Sequence, residues 1–498
     1  MQEYLLQEKA REQILKTFQL IHDLITPTMG AKGMMAGVDN NWGQPNLTDD
    51  GVTVAKALNN LSGWDRVIAK SIIEAAHKTE SEAYDGTTLT VLLTYGLYKY
   101  GYDMIQSGMH PNVVADHIFN EVDEILFKLL NERIEMTSEM VKDVATIATK
   151  IPEMGEIIKE AYDLVGESMD VIVKWDRSTL QTKLEHVKGY SVPSGYTMSQ
   201  LSSLGGQFRN ARLALLKTGL ATEVQLGTWF DSIPKDEYQP IVYVILPNFN
   251  PESLRRIVKF HRTNNLDMGI LFIQSGGVDD IYADLGALSG SVIQDPMHGV
   301  KNYLYEDCGI VESIEIERNR TIVEATGNVQ ERIKYYQDLL KEEKYKGNAM
   351  QRVQFETRLG SLQHGVATIL IGSPTEAQFT PVKLKLDDAK GAVHKSFEEG
   401  VVLGGGRTLQ KIAEGTDLSD VFSLPYHVIL RNAGVSDSMK LQSYAYGIDV
   451  TTGEVVNLKK AGIIDSLASV RQAIVNARSI ATSYLRVYLL IKEKESTS

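Results

Sequence analysis

Tyr84-Asp85-Gly86-Thr87-Thr88-Leu89-Thr90 packs an acid, a glycine and three threonines into seven residues, and the apolar run Val91-Leu92-Leu93 follows at once. The pattern is a turn that enters a helix, and the first N–H groups of a helix have no intrahelical partner. Gly86 would let a ligand come close to the backbone. The Thr87 and Thr88 hydroxyls beside those N–H groups would make a cradle for phosphate, and Asp85 is an oxygen ligand of the kind Mg2+ prefers. Read alone, the stretch is better explained as an ordinary helix start capped by Asp85 or Thr87. The rest of the chain has to decide between the two.

Helical patterns lie on both sides of it. Residues 9–25 place Ile14, Phe18, Ile21 and Ile25 on one face, joined by Leu24, and residues 65–83, 87–101, 111–131 and 137–166 continue the run. Pro27 ends the first pattern. The loop Thr26-Pro27-Thr28-Met29-Gly30-Ala31-Lys32-Gly33 follows, either a simple turn or a second loop whose N–H groups face an anion. Asp49 and Asp50 precede a helix beginning near Gly51, where acids ordinarily serve as caps. Near Asp170 the pattern changes. Val171–Trp175 reads as a strand, and Ile241–Leu246 and Met268–Ile273 flank a helix over 252–264, a βαβ unit. A charged helical hairpin over 328–363, broken at Lys346-Gly347-Asn348, leads to a strand at Val366–Gly372. Helices return near residue 385, and a closing helix over 467–485 precedes a last strand at 487–491. The order is helical, mixed, helical, which predicts a middle domain inserted into an outer one. Gly189 and Gly365 sit at the two crossings, as hinges or as plain turns.

Composition sets the outer limits. A chain of 498 residues suggests about three domains. Its 43% hydrophobic and 23% charged content is that of a globular protein. The net charge of −13 argues against a nucleic-acid binder, which needs a basic surface, and leaves a local nucleotide site possible. Cys308 is the only cysteine, so no intrachain disulfide can form and a reducing compartment is expected. There is no apolar leader at the N-terminus and no apolar run long enough to cross a bilayer. The expectation is a soluble cytoplasmic protein without membrane or nucleic-acid partners.

The common nucleotide motifs GxxxxGK[ST] and GxGxxG after a strand are missing, as are HExxH and any Cys/His cluster for zinc. What remains is acids and glycines. Asp387 and Asp388 open a pattern that runs to Phe397-Glu398-Glu399-Gly400, followed by Val401-Val402-Leu403-Gly404-Gly405-Gly406. Three glycines before a helix permit close approach to a flat or anionic ligand. Tyr446-Gly447-Ile448-Asp449 and Gly462-Ile463-Ile464-Asp465 each put an acid after a glycine turn, where it can accept from ribose hydroxyls. Taken singly, each acid reads first as a cap.

Taken in order, Gly30-Ala31-Lys32-Gly33, Asp50-Gly51-Val52-Thr53-Val54-Ala55, Asp85-Gly86-Thr87-Thr88, Glu398–Val402 with Gly404-Gly405-Gly406, and Gly462-Ile463-Ile464-Asp465 resemble the group I chaperonins, GroEL and its relatives. The resemblance covers essentially the whole chain and is weakest over 205–240. It implies a multidomain fold: a mainly α equatorial domain, an inserted α/β apical domain and a small α+β intermediate domain. The corresponding segments are equatorial 1–131 and 400–498, intermediate 132–187 and 366–399, and apical 188–365, with Gly400 as a further hinge. It implies an ATPase that forms a homo-oligomeric ring, seven subunits by family likeness, and folds non-native polypeptides.

The resemblance also implies residue roles. Asp85 would bind Mg2+, with K+ a further candidate ion. Gly86, Thr87, Thr88 and Leu89 would hold phosphates, with Thr28, Met29, Gly30 and Ala31 closing the other side. Gly405 and Asp465 would hold the nucleoside, and Asp449, Val450 and Thr451 would lie along the base. Asp388 matches the acid that positions the attacking water, and Asp50 a second acid beside it. Leu226, Trp229, Phe230 and Ile233 at i, i+3, i+4, i+7 and a second stripe of Leu254, Ile257 and Val258 would bind substrate, with Tyr196 and Leu201 as further apolar positions. The same stripes would serve equally well as domain core.

Some positions depart from the family. Tyr84 stands where glycine is usual, Leu89 where threonine is, Ala31 where proline is, Asp49 where lysine is, and Lys259 takes an apolar position. The drift of the surface that a co-chaperonin would use leaves such a partner open. The alternative to an ATPase is a holdase or scaffold that kept the fold and lost turnover, and the presence of Asp50, Asp85 and Asp388 together favours the ATPase.

Overall fold

The computed structural model describes residues 2–39, 46–58, 61–166, 170–196, 204–217, 220, 222–234, 238–274, 277–295, 302–342, 349–439 and 441–493. The chain divides into an outer unit of two segments, Met1–Glu160 and Thr375–Ser498, and an inserted unit, Ala161–Pro374. This is the insertion that the helical–mixed–helical order predicts.

The outer unit is built on the helices Gln7–Ile25, Gly63–Ala83, Thr87–Gln106, Pro111–Asn131 and Leu467–Leu485. Their apolar faces form one core. Phe18 lies edge-on to Tyr98 and Tyr484, with ring centroids 4.9 and 5.3 Å away. The closing helix buries Ala473, Ala477 and Ala481, one turn apart, so neighbouring backbones can come close. Gly101 in the facing helix answers it, since a Cβ there would stand 2.5 Å from Leu485 Cδ1.

Two features were not anticipated. Gln2–Leu6 is a strand, paired antiparallel with Leu489–Glu493 in the register Gln2↔Glu493 to Leu6↔Leu489. The expected helix over 137–166 is also interrupted. Val141–Thr149 ends at Lys150 in the left-handed region (φ 59°), and a new helix, Pro152–Val165, begins at a proline, which cannot donate into a preceding turn.

In the inserted unit the longest strand, Gly206–Leu216, pairs antiparallel with Gly309–Ile316 and parallel with Ile241–Ile245. Ile241–Ile245 is in turn parallel to Met268–Phe272. The crossover between those two strands is the helix Pro251–Thr263, as the βαβ reading expects, and both strands are buried along their length. Thr321–Glu324 and Tyr190–Val192 extend the sheet beyond Gly309–Ile316, and Ile293–Gln294 adds to Gly206–Leu216. A second, three-stranded sheet of the same unit sets Val366–Gly372 between Val171–Asp176 and Lys183–Val187.

Candidate active site

Two left-handed residues flank Asp85: Tyr84 (φ 60°), which ends Gly63–Ala83, and Gly86 (φ 98°), which starts Thr87–Gln106. Gly86 is required twice over, by its φ and because a Cβ would stand 3.0 Å from both Ser469 O and Thr79 Cγ2. The first intrahelical bond runs from Thr90 N–H to Gly86 O, so the N–H groups of Thr87, Thr88 and Leu89 come before it. The Thr87 hydroxyl oxygen is buried and has no hydrogen-bond partner. Leu89 sends its side chain into the core and offers this turn only its N–H. Thr90, Thr79 and Asn476 tie the turn down from below. Thr90 Oγ1 donates to Gly86 O, Thr79 Oγ1 lies 2.8 Å from Thr90 Oγ1, and Asn476 Nδ2 donates to Thr79 Oγ1 at 2.8 Å.

Carboxylates gather around this turn. Asp85 Oδ1 accepts from Gly86 N–H at 2.6 Å. Asp85 keeps solvent-accessible surface although protein atoms crowd around it. Its pKa is raised, first by this desolvation and then by the charge of Asp50, against the Gly86 hydrogen bond and Lys150. Asp50 caps the helix Gly51–Ala57, accepting from Val52 N–H (3.1 Å), Thr53 N–H (3.0 Å) and the Thr53 hydroxyl (2.6 Å). Asp50 is thus a helix cap whose charge also acts on the acids around it. Asp388, on the helix Glu376–Glu399, is pushed up to about 7 by burial and by the negative charges of Glu80, Asp50, Asp85 and Asp387. Asp465 is raised to about 7 by burial and by Asp85. Burial also raises Glu80, which Asp50 reinforces. This is an excess of negative charge around unpaired backbone donors, an arrangement that suits a divalent cation carrying a phosphate.

The charge at Asp49, unexpected for the family, is neutralised within the outer unit. Its carboxylate meets Lys385 at 2.8 Å and Lys150 at 3.4 Å. Burial alone would raise it. The Lys385 hydrogen bond and the two ammonium charges outweigh burial and hold it below its ordinary value. Lys150 also donates to the carbonyls of Thr28 (2.9 Å) and Asp49 (3.0 Å), joining two loops. Asn432 Nδ2 donates to Thr26 O and Met29 O at 2.8 and 3.0 Å. The Thr28–Ala31 loop is thus held by its carbonyls. Gly30 takes φ 87°, and Thr28 spends its hydroxyl on Ile25 O.

Val401–Leu403 pairs with Ile464–Ser466 and brings the glycine triplet beside Asp465. A Cβ on Gly404 would stand 3.0 Å from Asp465 Oδ1, and one on Gly406 2.6 Å from Tyr426 N. Gly405 (φ 63°) has only Ile463 near its Cβ position, at 3.7 Å. Arg407 fixes the neighbouring hairpin by donating from Nε to Tyr446 O at 3.0 Å. In that hairpin Asp449 is engaged in its own turn, accepting from Thr451 N–H (2.8 Å) and the Thr451 hydroxyl (2.6 Å). Val450 is buried against Tyr426, Leu430 and Ile448, while Thr451 is exposed.

The apical stripes need correction. Leu226, Trp229, Ile233 and Ile257 belong to the core of the inserted unit, and Trp229 has no exposed surface. The i, i+3, i+7 spacing marks the inward face of the helix Glu223–Ser232 and its cap Ile233, where Trp229 donates to Tyr243 OH and packs on Tyr303, and Ile257 is buried on the helix Pro251–Thr263, so these four are not a substrate surface. Phe230, Leu254 and Val258 are half-buried at the edge of that core, and Phe230 stacks on Phe260 (centroids 4.3 Å apart, planes 8° apart). Tyr196 is half-buried against Gly205, and Leu201 lies outside the described residues. Gly189 and Gly365 (φ 82°) flank the register pair Val187↔Val366 inside the inserted unit, and a Cβ on Gly365 would stand 2.4 Å from Val187 O. Gly400 (φ 93°) turns the chain from Glu376–Glu399 into Val401–Leu403. Among the described residues no helix is long and apolar enough to cross a membrane.

Comparison with known proteins agrees with this fold. The TCP-1/cpn60 chaperonin family matches residues 21–229. Chaperonin GroEL of Acholeplasma laidlawii is 28% identical over 509 aligned positions, covering 95% of this chain and 93% of that one. Two crystal forms of the chaperonin gp146 from the Pseudomonas aeruginosa bacteriophage EL, solved in the presence of ATP-BeFx, share the fold. Each covers 99% of both chains, with TM-scores of 0.71 and 0.66 at 17% and 18% identity. With ordered motifs at both ends of the chain, a GroEL relative aligned over nearly its whole length and the same multidomain fold, this chain is similar to the GroEL-like, TCP-1/cpn60 chaperonins as a divergent relative.

Proposed function

We propose that this chain is an ATP-hydrolysing subunit of a cytoplasmic chaperonin ring, seven subunits by family likeness, that binds non-native polypeptides and promotes their folding through ATP-driven domain movements. The observation that carries the proposal is the meeting of Asp50, Asp85, Asp388 and Asp465 around the free end of Thr87–Gln106. The orphaned Thr87 hydroxyl and the N–H groups ahead of the first helical bond fit a phosphate. ATP with Mg2+ supplies the phosphoryl group and the positive charge that these carboxylates lack. On that reading Asp85 holds the cation, with K+ a further candidate at the site. Thr87, Thr88 and the Leu89 N–H hold phosphate oxygens, opposite Thr28–Ala31. Gly405 and Asp465 hold the nucleoside, with Asp449–Thr451 along the base.

Asp388 orients the attacking water and accepts its proton, with Asp50 beside it. A carboxyl with a pKa of about 7 is suited to that exchange at neutral pH. In the Asp388→Ala variant, ATP binding stays within a few-fold of wild type while steady-state phosphate release falls by roughly 10²–10⁴. Full turnover by this variant would end the assignment. For polypeptide capture, the half-buried Phe230, Leu254 and Val258 with Tyr196 are the apolar positions left after the correction above. A ring multiplies such weak contacts by avidity. Negative-stain images with and without ATP count the subunits and rings, and suppression of aggregation of an unfolded protein reads the capture.

A further inference from the structure

Away from the nucleotide site, the outer unit carries a second group of metal-ligating atoms. His117 and Glu121 lie one turn apart on the helix Pro111–Asn131, so they share a face. Asp417 comes to that face from the turn between the helices Arg407–Ile412 and Ser419–Ala433. A ligand atom from each of the three lies within 4.8 Å of the other two. His117 Nε2 stands 3.2 Å from Asp417 Oδ2 without forming a hydrogen bond to it. Glu121 Oε2 has no partner either, and both this oxygen and the His117 nitrogen are shielded from solvent. Leaving two such atoms unsatisfied costs free energy, so the arrangement calls for a group that is missing from the polypeptide itself.

We propose that His117, Glu121 and Asp417 form a binding site for a divalent transition metal ion of the Zn2+ class, separate from the nucleotide site. Two ligands on a tetrahedral Zn2+ at its usual bond lengths sit roughly 3.3 Å apart, close to the His117–Asp417 separation. An imidazole nitrogen with two carboxylates favours Zn2+ or Co2+ over Mg2+ or Ca2+, which take oxygen ligands. Asp417 is exposed, with 65% of its side-chain surface accessible, so a water can complete the coordination. The bound ion would tie Pro111–Asn131 to the turn that follows the glycine-triplet helix, linking the two chain segments of the outer unit. The sequence hid this site because its spacing, His-x-x-x-Glu with a distant Asp, is common on ordinary helices.

The test uses the full chain, stripped of metal with EDTA and free of nucleotide, titrated with Co2+ and read by its visible d–d absorption. Wild type and Asp85→Asn are both expected to bind one Co2+ per chain, displaced by one Zn2+. Asp417→Asn and His117→Ala are expected to weaken binding by more than roughly tenfold, the least that even an outer-shell partner costs. Asp417 is exposed, so its variant reports even if the histidine variant folds poorly. Absence of stoichiometric d–d absorption in wild type, or an unchanged titration in Asp417→Asn, overturns the site. A titration lost in Asp85→Asn and kept in Asp417→Asn assigns the ion to the nucleotide site and overturns it as well.

Discussion

Asp387 and Asp388 are neighbours on one helix and experience opposite fields. Asp387 is paired with Lys383 (2.5 Å) and Lys390 (2.9 Å); burial pushes it up, but the two lysines outweigh this and hold it low. Asp388 faces burial and other acids and rises to about 7. The sign of the consequence follows from linkage. Between the ordinary carboxyl pKa of 3.8 and about 7 the native state keeps a proton that the unfolded chain has released, so stability falls as pH rises through that window and stays reduced above it. Asp388→Asn therefore raises the thermal midpoint at pH 8 without nucleotide, by the equivalent of about 1–2 kcal/mol after screening, and leaves it unchanged at pH 4. Scanning calorimetry at the two pH values checks both halves. The Asp-Asp pair was legible in the sequence, but which of the two faces lysines was not, because that depends on the rotation of the helix against residues far away in the chain. Asp49 teaches the same lesson: the sequence shows an acid where a lysine is usual, but not that Lys150 and Lys385 stand beside it.

At the scale of elements, the helix Glu376–Glu399 meets the turn at Asp85 through Tyr84. A Cβ on Gly391 would stand 2.1 Å from the Tyr84 ring, so ring and glycine are matched. Gly391→Ala is expected to push the helix away from the turn and with it Asp388, lowering ATP hydrolysis by roughly 10- to 100-fold. Adding Tyr84→Ala to the same chain makes room for the new methyl and restores most of the rate. A double-mutant cycle on phosphate release tests this, and additive losses would disprove the pairing. Elements with a local signature were readable from sequence. Pro111–Asn131 and Leu467–Leu485 match their apolar periodicity to the residue, and Val366–Gly372 matches its apolar run. The stripe of Leu226, Trp229 and Ile233 was equally visible, but periodicity shows only that a face is apolar, not whether it meets a core or solvent. Gln2–Leu6 gave no such signal, since its partner strand lies at the other end of the sequence.

On the scale of the whole molecule, that terminal ladder closes the outer unit. Leu5 opposite Leu490 adds apolar burial, and Glu3 meets Lys492 at 2.9 Å. Removing Gln2–Leu6 is expected to destabilise the outer unit by about 2–3 kcal/mol, roughly one well-buried leucine, without affecting the inserted unit. Hydrogen exchange resolved by segment separates the two outcomes, and equal loss of protection in both units would contradict the division. The way the outer core is assembled also matters for how the protein is made. Val91 packs in the same core as Ala473 and Ile474, so this core cannot form until almost the whole chain has been synthesised. At ~5–20 residues per second the ribosome needs roughly 20–75 s to span that distance. The inserted unit is continuous in sequence and is free to fold during that interval. Meanwhile the first helices wait with their apolar faces uncovered, so the nascent chain is, for a time, the kind of polypeptide that the proposed ring would bind.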